Sequence, residues 1–205
     1  MSTRALRVRL VPPADGDDAD RAPAALCDTS DDDLMLMASG GTPAAFDELI
    51  RRYQARAIGT ALRQTGSMAI AREIAQETFV EVFRSLPSYA PRGKFSAYLF
   101  QILINRCRME FRRRERERRA TEAATQGASE EAIAMDASLI LERERERRVR
   151  RAISRLSEPL REVIALWGEG FKDKEISEIL GKPIGTVRRR RFDAVERLRQ
   201  TLGGE

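Results

Sequence analysis

The sequence predicts an all-α protein of two small helical domains joined by a flexible charged linker. Three observations predict it. Apolar residues recur at spacings of three and four through two long stretches, the signature of helices with one buried stripe. Cap-and-proline pairs, as at Thr42-Pro43 and Ser157-Glu158-Pro159, stand where those stripes begin. Between the two stretches lies a segment of charged and small residues with little period. The chain has 205 residues, enough for one or two small domains.

Residues 1–30 are rich in Pro, Ala and Asp, offer little to bury and are expected to be disordered. Asp31–Asp33 resemble a metal cluster, but carboxylates also favour a helix N-terminus, and the helix start is the preferred reading. From Leu34 the pattern is helical. Phe46, Leu49, Ile50, Tyr53, Ala57, Ala61 and Leu62 form one stripe. Thr65-Gly66-Ser67 breaks it, with Ser67 placed to cap the next helix. Ile70, Ile74, Thr78, Phe79, Val82 and Leu86 continue the period. Pro87 to Lys94 is a loop, punctuated by Pro and Gly. A third helix spans Phe95 to Phe111, apolar over a wide arc and basic at Arg106 and Arg108. Three such helices make a bundle.

Arg112 to Arg119 holds six arginines and two glutamates. It opens the linker, helical at its charged ends. A second charged run, Glu142 to Arg151, is expected to be a solvated helix laced by i,i+4 pairs. The domain boundaries read 1–30 (tail), 31–113, 114–144 (linker) and 145–205.

In the last domain, Val149, Ala152, Ile153 and Leu156 form one amphipathic helix. Leu160, Val163, Ile164 and Trp167 share a face of the next, which ends at Gly168 and Gly170. A short helix, Asp173 to Leu180, is followed by the turn Gly181-Lys182-Pro183-Ile184 and a basic helix from about Gly185 to Leu202. Two helices joined by a tight Gly-containing turn, the second densely basic at its start, describe a helix-turn-helix. At about 100° per residue, Val187, Ala194 and Leu198 face the core. Arg188, Arg189, Phe192, Asp193 and Glu196 face away. Arg188 and Arg189 sit where such a helix enters the major groove. Arginine takes guanine through O6 and N7, and an exposed Phe meets thymine methyls. Arg190 and Lys182 are placed for phosphates. Arg191 falls on the inward side, its stem packed and its head reaching out.

Composition narrows the functions. Lys and Arg number 37 against 32 Asp and Glu, a net charge of +5, which favours a polyanionic partner. Cys27 and Cys107 are the two cysteines and there is no histidine. That excludes a disulfide scaffold and a His or four-Cys zinc site. No cofactor is expected. No apolar run reaches a membrane span, and the basic N-terminus lacks the apolar stretch of a signal peptide, so a cytoplasmic protein is expected.

Ala152–Leu202 resembles the region-4 domain of extracytoplasmic-function sigma factors. The shared frame includes Leu156, Pro159-Leu160-Arg161-Glu162-Val163, Gly170, Glu175-Ile176, Glu178-Ile179-Leu180-Gly181, Gly185-Thr186-Val187, Arg190, Ala194 and Leu198. Gln76-Glu77-Thr78-Phe79 with Val82-Phe83-Arg84 is similar to their region-2 helix, and Phe95 to Leu99 with Ile104-Asn105-Arg106 to the next. The sequence departs from the pattern at Lys172, where a Ser or Thr cap is usual, so Asp173 is expected to cap instead. Tyr98, Arg189 and Arg191 also depart.

The resemblance implies core RNA polymerase and promoter DNA as partners, with an anti-sigma factor a further candidate. It implies that region 4 reads the −35 element through Lys182, Gly185, Thr186, Arg188, Arg189, Arg190 and Phe192. Region 2 would hold the opening −10 element at the loop Ser88–Phe95, with Tyr89, Lys94 and Asn105 in the pocket and Arg106, Arg108 and Arg112 on phosphates. Gln76, Glu77, Phe79 and Glu81 would dock on the largest polymerase subunit. A flexible linker of about 27 residues spans roughly 30 Å on average, while the promoter elements lie roughly 50 Å apart. Free protein is therefore expected to bind DNA weakly and with strong salt dependence.

Three other classes fit less well. A response-regulator-like factor would show βα alternation in residues 31–113, and does not. A nucleic-acid enzyme would need a metal-binding carboxylate set or a nucleophile–base pair. A structural coiled coil would need apolar heptads to accompany its repeated RERERR.

Overall fold

A computed structural model describes residues 26–122 and 147–203. Eight α-helices and no strand occur among them: α1 (Asp31–Ser39), α2 (Pro43–Thr65), α3 (Met68–Ser85), α4 (Phe95–Glu122), α5 (147–154), α6 (Glu158–Trp167), α7 (Asp173–Leu180) and α8 (Ile184–Leu202). A 3₁₀ turn, Leu86–Ser88, follows α3. The tail through residue 25 and the linker segment 123–146, including most of the second charged run, lie outside the described residues.

The first bundle packs α1 to α4 around Leu34, Leu49, Phe79, Leu99 and Leu103, all fully buried. Helix starts fall where sequence placed them, with Ser30, Thr42, Ser67 and Ser157 as N-caps. Only the Ser30 hydroxyl accepts from a first-turn amide, Asp33 N–H at 3.2 Å. Helix α4 does not stop near Phe111. Its charged continuation has no Pro or Gly, and glutamates pair with arginines one turn away, as Glu110 does with Arg113 and Arg114 at 2.8 and 2.9 Å.

The second bundle departs from expectation in five places. Val149 and Trp167 are exposed rather than packed. Leu156 is buried, but lies just beyond the end of α5. Helix α7 is capped by Lys172, not Asp173: the Lys172 backbone N–H donates to Glu175 at 2.7 Å, and a lysine ammonium has no lone pair to accept in return. The Arg191 head is half-buried and paired with Asp173 rather than reaching freely into solvent.

The largest difference concerns how the halves meet. Sequence treats them as separate bundles with separate cores. In the structure one apolar cluster runs through both, joining Leu49, Phe100 and Leu103 to Val163, Leu166, Phe171 and Ile176. A smaller cluster, Ile153, Leu156, Leu160, Ile164 and Ala194, remains private to the second bundle.

Candidate nucleic-acid and polymerase interfaces

Helices α7 and α8 set the first site. Gly181 takes the left-handed conformation, φ 60°, that lets the chain turn directly after α7, a geometry that glycine adopts without strain. Val187 and Ala194 anchor α8 in the core, and Leu198 packs half-buried beside them. That phase leaves Arg188, Arg189 and Phe192 exposed, Phe192 by 70%. Lys182 and Gly185 are exposed too, and Thr186 and Arg190 half-buried, so the whole predicted set lies along the outer start of α8. Arg191 Nε and Nη2 donate to Asp173 at 3.0 and 3.2 Å, and its guanidinium lies 5.7 Å from the Trp167 ring centre. Arg188 Nε lies 3.4 Å from the same carboxylate, so Asp173, at the start of α7, holds two arginines of α8.

The loop after α3 and the outer strip of α4 set the second. Tyr89 is ringed by Phe95 and Tyr98, at 6.3 and 5.8 Å between centroids. Its hydroxyl donates to Asp32 at 2.6 Å, and the Gly93 amide donates to the other oxygen of Asp32, also at 2.6 Å. Burial and that carboxylate push the Tyr89 phenol far above its ordinary pKa. Tyr89, Arg92, Lys94, Tyr98 and Gln101 line a cleft of about 460 Å³. Asn105 continues the strip and accepts from Arg108 at 3.0 Å, and Arg112 lies exposed one turn further.

Arg106 does not join that strip. It faces α3, donating to Glu77 and, at 2.7 and 3.1 Å, to Glu81. The side of α3 predicted to dock on polymerase thus carries an arginine from α4 beside its carboxylates. Gln76 is half-buried there, and Phe79 is fully buried, so its ring shapes this face only from beneath.

Residues 49–117 match sigma-70 region 2, and residues 146–198 match sigma-70 region 4. The chain belongs to the sigma-70 family, as a sigma factor of the extracytoplasmic-function type. It is 28% identical over 185 residues to RNA polymerase sigma-H factor of Pseudomonas aeruginosa, covering 86% of this chain and 96% of that one. It is 29% identical to ECF RNA polymerase sigma-E factor of Haemophilus influenzae, covering 84% and 95%. Among solved structures, the sigma factor RpoE in complex with the anti-sigma factor NepR from Bartonella quintana aligns with a TM-score of 0.61 at 26% identity, over 77% of this chain and 95% of that one. CnrH in complex with the cytosolic domain of CnrY shares the fold, with a TM-score of 0.67 at 24% identity, over 86% and 99%.

As a sigma factor, the chain directs promoter-dependent initiation by RNA polymerase. Two features of its regions escaped sequence reading. The first is the work of the aspartates that open α1. Asp31 accepts from Arg52 at 2.8 Å and from the Tyr53 hydroxyl, tying α1 to α2, while Asp32 fastens the region-2 loop. A run of three acids signals a helix start, but nothing in its spacing names such distant donors. The second is the contact between region 2 and region 4. Phe171 follows Gly170 in the frame that identifies region 4, yet its ring, 2% exposed, rests on Phe100 of region 2.

Proposed function

We propose that region 4, residues 145–205, reads the −35 element in the major groove, and that region 2, residues 31–113, captures the −10 element as it opens, with 114–144 as the connection. The chain works in the cytoplasm as a non-catalytic subunit of the holoenzyme. One observation carries the reading: Arg188, Arg189 and Phe192 stand exposed at the start of a helix whose other side is locked into the domain. Arginines so placed reach guanine edges, while Lys182 and Arg190 lie beside them for phosphates.

The −10 role rests on the cleft under Tyr89 and the basic strip beyond it. Extracting a base from a duplex costs a few kcal/mol, which a stacking surface and a pocket partly offset. Arg106 is reassigned: beside Glu77 and Glu81 it belongs with the polymerase-docking side rather than with the phosphates. An anti-sigma partner is a further part of the reading, supported by the sigma factor RpoE solved in complex with the anti-sigma factor NepR.

Run-off transcription with purified chain and bacterial core polymerase, on promoters selected from a random library, tests the whole reading. A selected −35 motif that changes when Arg188 and Arg189 become alanine is the expected result. Failure to join core polymerase, or an unchanged motif, contradicts it.

A further inference from the structure

The loop that carries Tyr89 is held from outside itself. Among the described residues, no backbone hydrogen bond crosses it between Tyr89 and Gly93. Its two ends are tied instead by one carboxylate. Asp32 accepts from the Tyr89 hydroxyl with one oxygen and from the Gly93 amide with the other, both at 2.6 Å. Gly93 stands in the left-handed region, φ 64°, so the second tie falls at a position that suits glycine. Between the ties, Ala90, Pro91 and Arg92 are exposed, and Arg92 lines the cleft.

Asp32 is itself well fixed. It lies in the first turn of α1, where the helix dipole favours a carboxylate. Leu34 and Met35, both fully buried, seat that helix in region 2, and the neighbouring Asp31 is held by Arg52 and Tyr53. Asp32 stands outside the lining of the cleft, so it reaches the loop and not the contents of the cleft.

A carboxylate beside a DNA-binding cleft repels phosphates, so its charge opposes the strand. What it supplies is order: a loop fixed before binding loses less conformational freedom when it receives a base. We propose that Asp32 is a positioning residue for −10 recognition, holding the loop between α3 and α4 in the shape that receives the extruded base. This rests on the assignment of that loop to the −10 element. The two effects of Asp32 have opposite signs. Removing a mere surface charge would favour the strand, whereas removing the tie weakens capture.

Holoenzyme made with each variant is assayed for promoter opening, by 2-aminopurine fluorescence, on a promoter selected by the wild-type chain and on templates with single −10 substitutions. The readout is discrimination, the ratio of the two opening rates. A misfolded fraction lowers both rates alike and leaves that ratio unchanged. Asp32→Ala is expected to open the selected promoter at least about tenfold more slowly and to lose about tenfold of the discrimination, the scale of one charge-assisted hydrogen bond. Asp32→Asn loses the same charge but can keep the bridge, its amide oxygen accepting from Gly93 and its NH2 donating to the phenol oxygen. It is expected to hold discrimination within about threefold of wild type. Asp33→Ala removes the adjacent carboxylate, which is bonded to Ser30, and is expected to change either quantity less than about twofold. Tyr89→Phe removes one tie with α1 untouched and is expected to lose about threefold of the discrimination, which serves if Asp32→Ala does not fold.

Discrimination that stays intact in Asp32→Ala, or in Tyr89→Phe, overturns the proposal. So does an Asp32→Asn chain as defective as Asp32→Ala, or an Asp33→Ala chain that matches it. Tyr89→Ala separates this from failure of the parent reading. If it leaves opening and discrimination unchanged, the loop is not the −10 site and both readings fall. If it loses discrimination while Asp32→Ala does not, only the role of Asp32 is wrong.

Discussion

Asp173, the first residue of α7, and Arg191, in the second turn of α8, are joined by two hydrogen bonds, at 3.0 and 3.2 Å. The pair fixes the angle at which the recognition helix leaves the domain. Asp173→Ala leaves a half-buried guanidinium without its acceptor and is expected to destabilise region 4 by about 1–2 kcal/mol. A urea titration followed by the exposed Trp167 near Arg191 reads the loss; an unchanged midpoint would show that the turn holds its angle without the pair.

Arg188 and Arg189 are expected to act on choice of sequence, and Lys182 on affinity alone. Alanine at either arginine should relax discrimination at its base pair by about 1–3 kcal/mol. Alanine at Lys182 should weaken all promoters alike and flatten the salt dependence by roughly one phosphate contact. Competition binding of holoenzyme across single-base promoter variants distinguishes the two patterns.

On α3, surface and core should separate cleanly. Glu77→Lys with Glu81→Lys is expected to weaken association with core polymerase while leaving the thermal midpoint within a few degrees of wild type. Phe79→Ala empties the centre of region 2 and should cost about 3–5 kcal/mol in stability. Calorimetry and analytical ultracentrifugation with core enzyme measure both; a docking defect without destabilisation in Phe79→Ala would place that ring at the surface.

Glu48 gives region 2 an acid limit. Its side chain is fully buried, and hydrogen bonds from Arg51 and Arg52 at 2.7 Å hold the carboxyl below its ordinary range against the opposing pull of burial. The folded state therefore takes up this proton less readily than the unfolded chain. The contribution is complete above the ordinary carboxylate range and is lost as pH falls through the lowered value. Glu48→Gln is expected to lower stability at pH 7 and to reduce the acid dependence below about pH 4.5. Chemical denaturation at pH 7 and pH 3.5 checks the difference, which should shrink at the lower pH.

Much of this was legible in the residues. Stripes of Leu, Ile and Phe located the helices, because apolar period and helical burial are the same constraint. The exposed start of α8 followed from the phase of Val187 and Ala194. What stayed hidden was contact between distant elements. Nothing local says that Asp32 reaches Gly93, that Asp173 takes Arg191, or that Phe171 leaves its own domain to sit on Phe100. Trp167 misled for the same reason: its position on the α6 stripe is apolar by period, yet the ring lies at the surface beside Arg191 of α8.

Helix α4 runs unbroken from Phe95 to Glu122 and wears different surfaces on different sides: Leu103 and Cys107 inward, Arg106 toward α3, Arg108 toward Glu162 of α6, Asn105 outward. Inserting or deleting one residue near Cys107 would rotate everything beyond it by about 100° and move it by about 1.5 Å. The arginines beyond would then swing out of register with the loop that holds Tyr89. Descendants of this gene can trade side chains along the rod, but they cannot change its length there without dismantling every surface it aligns.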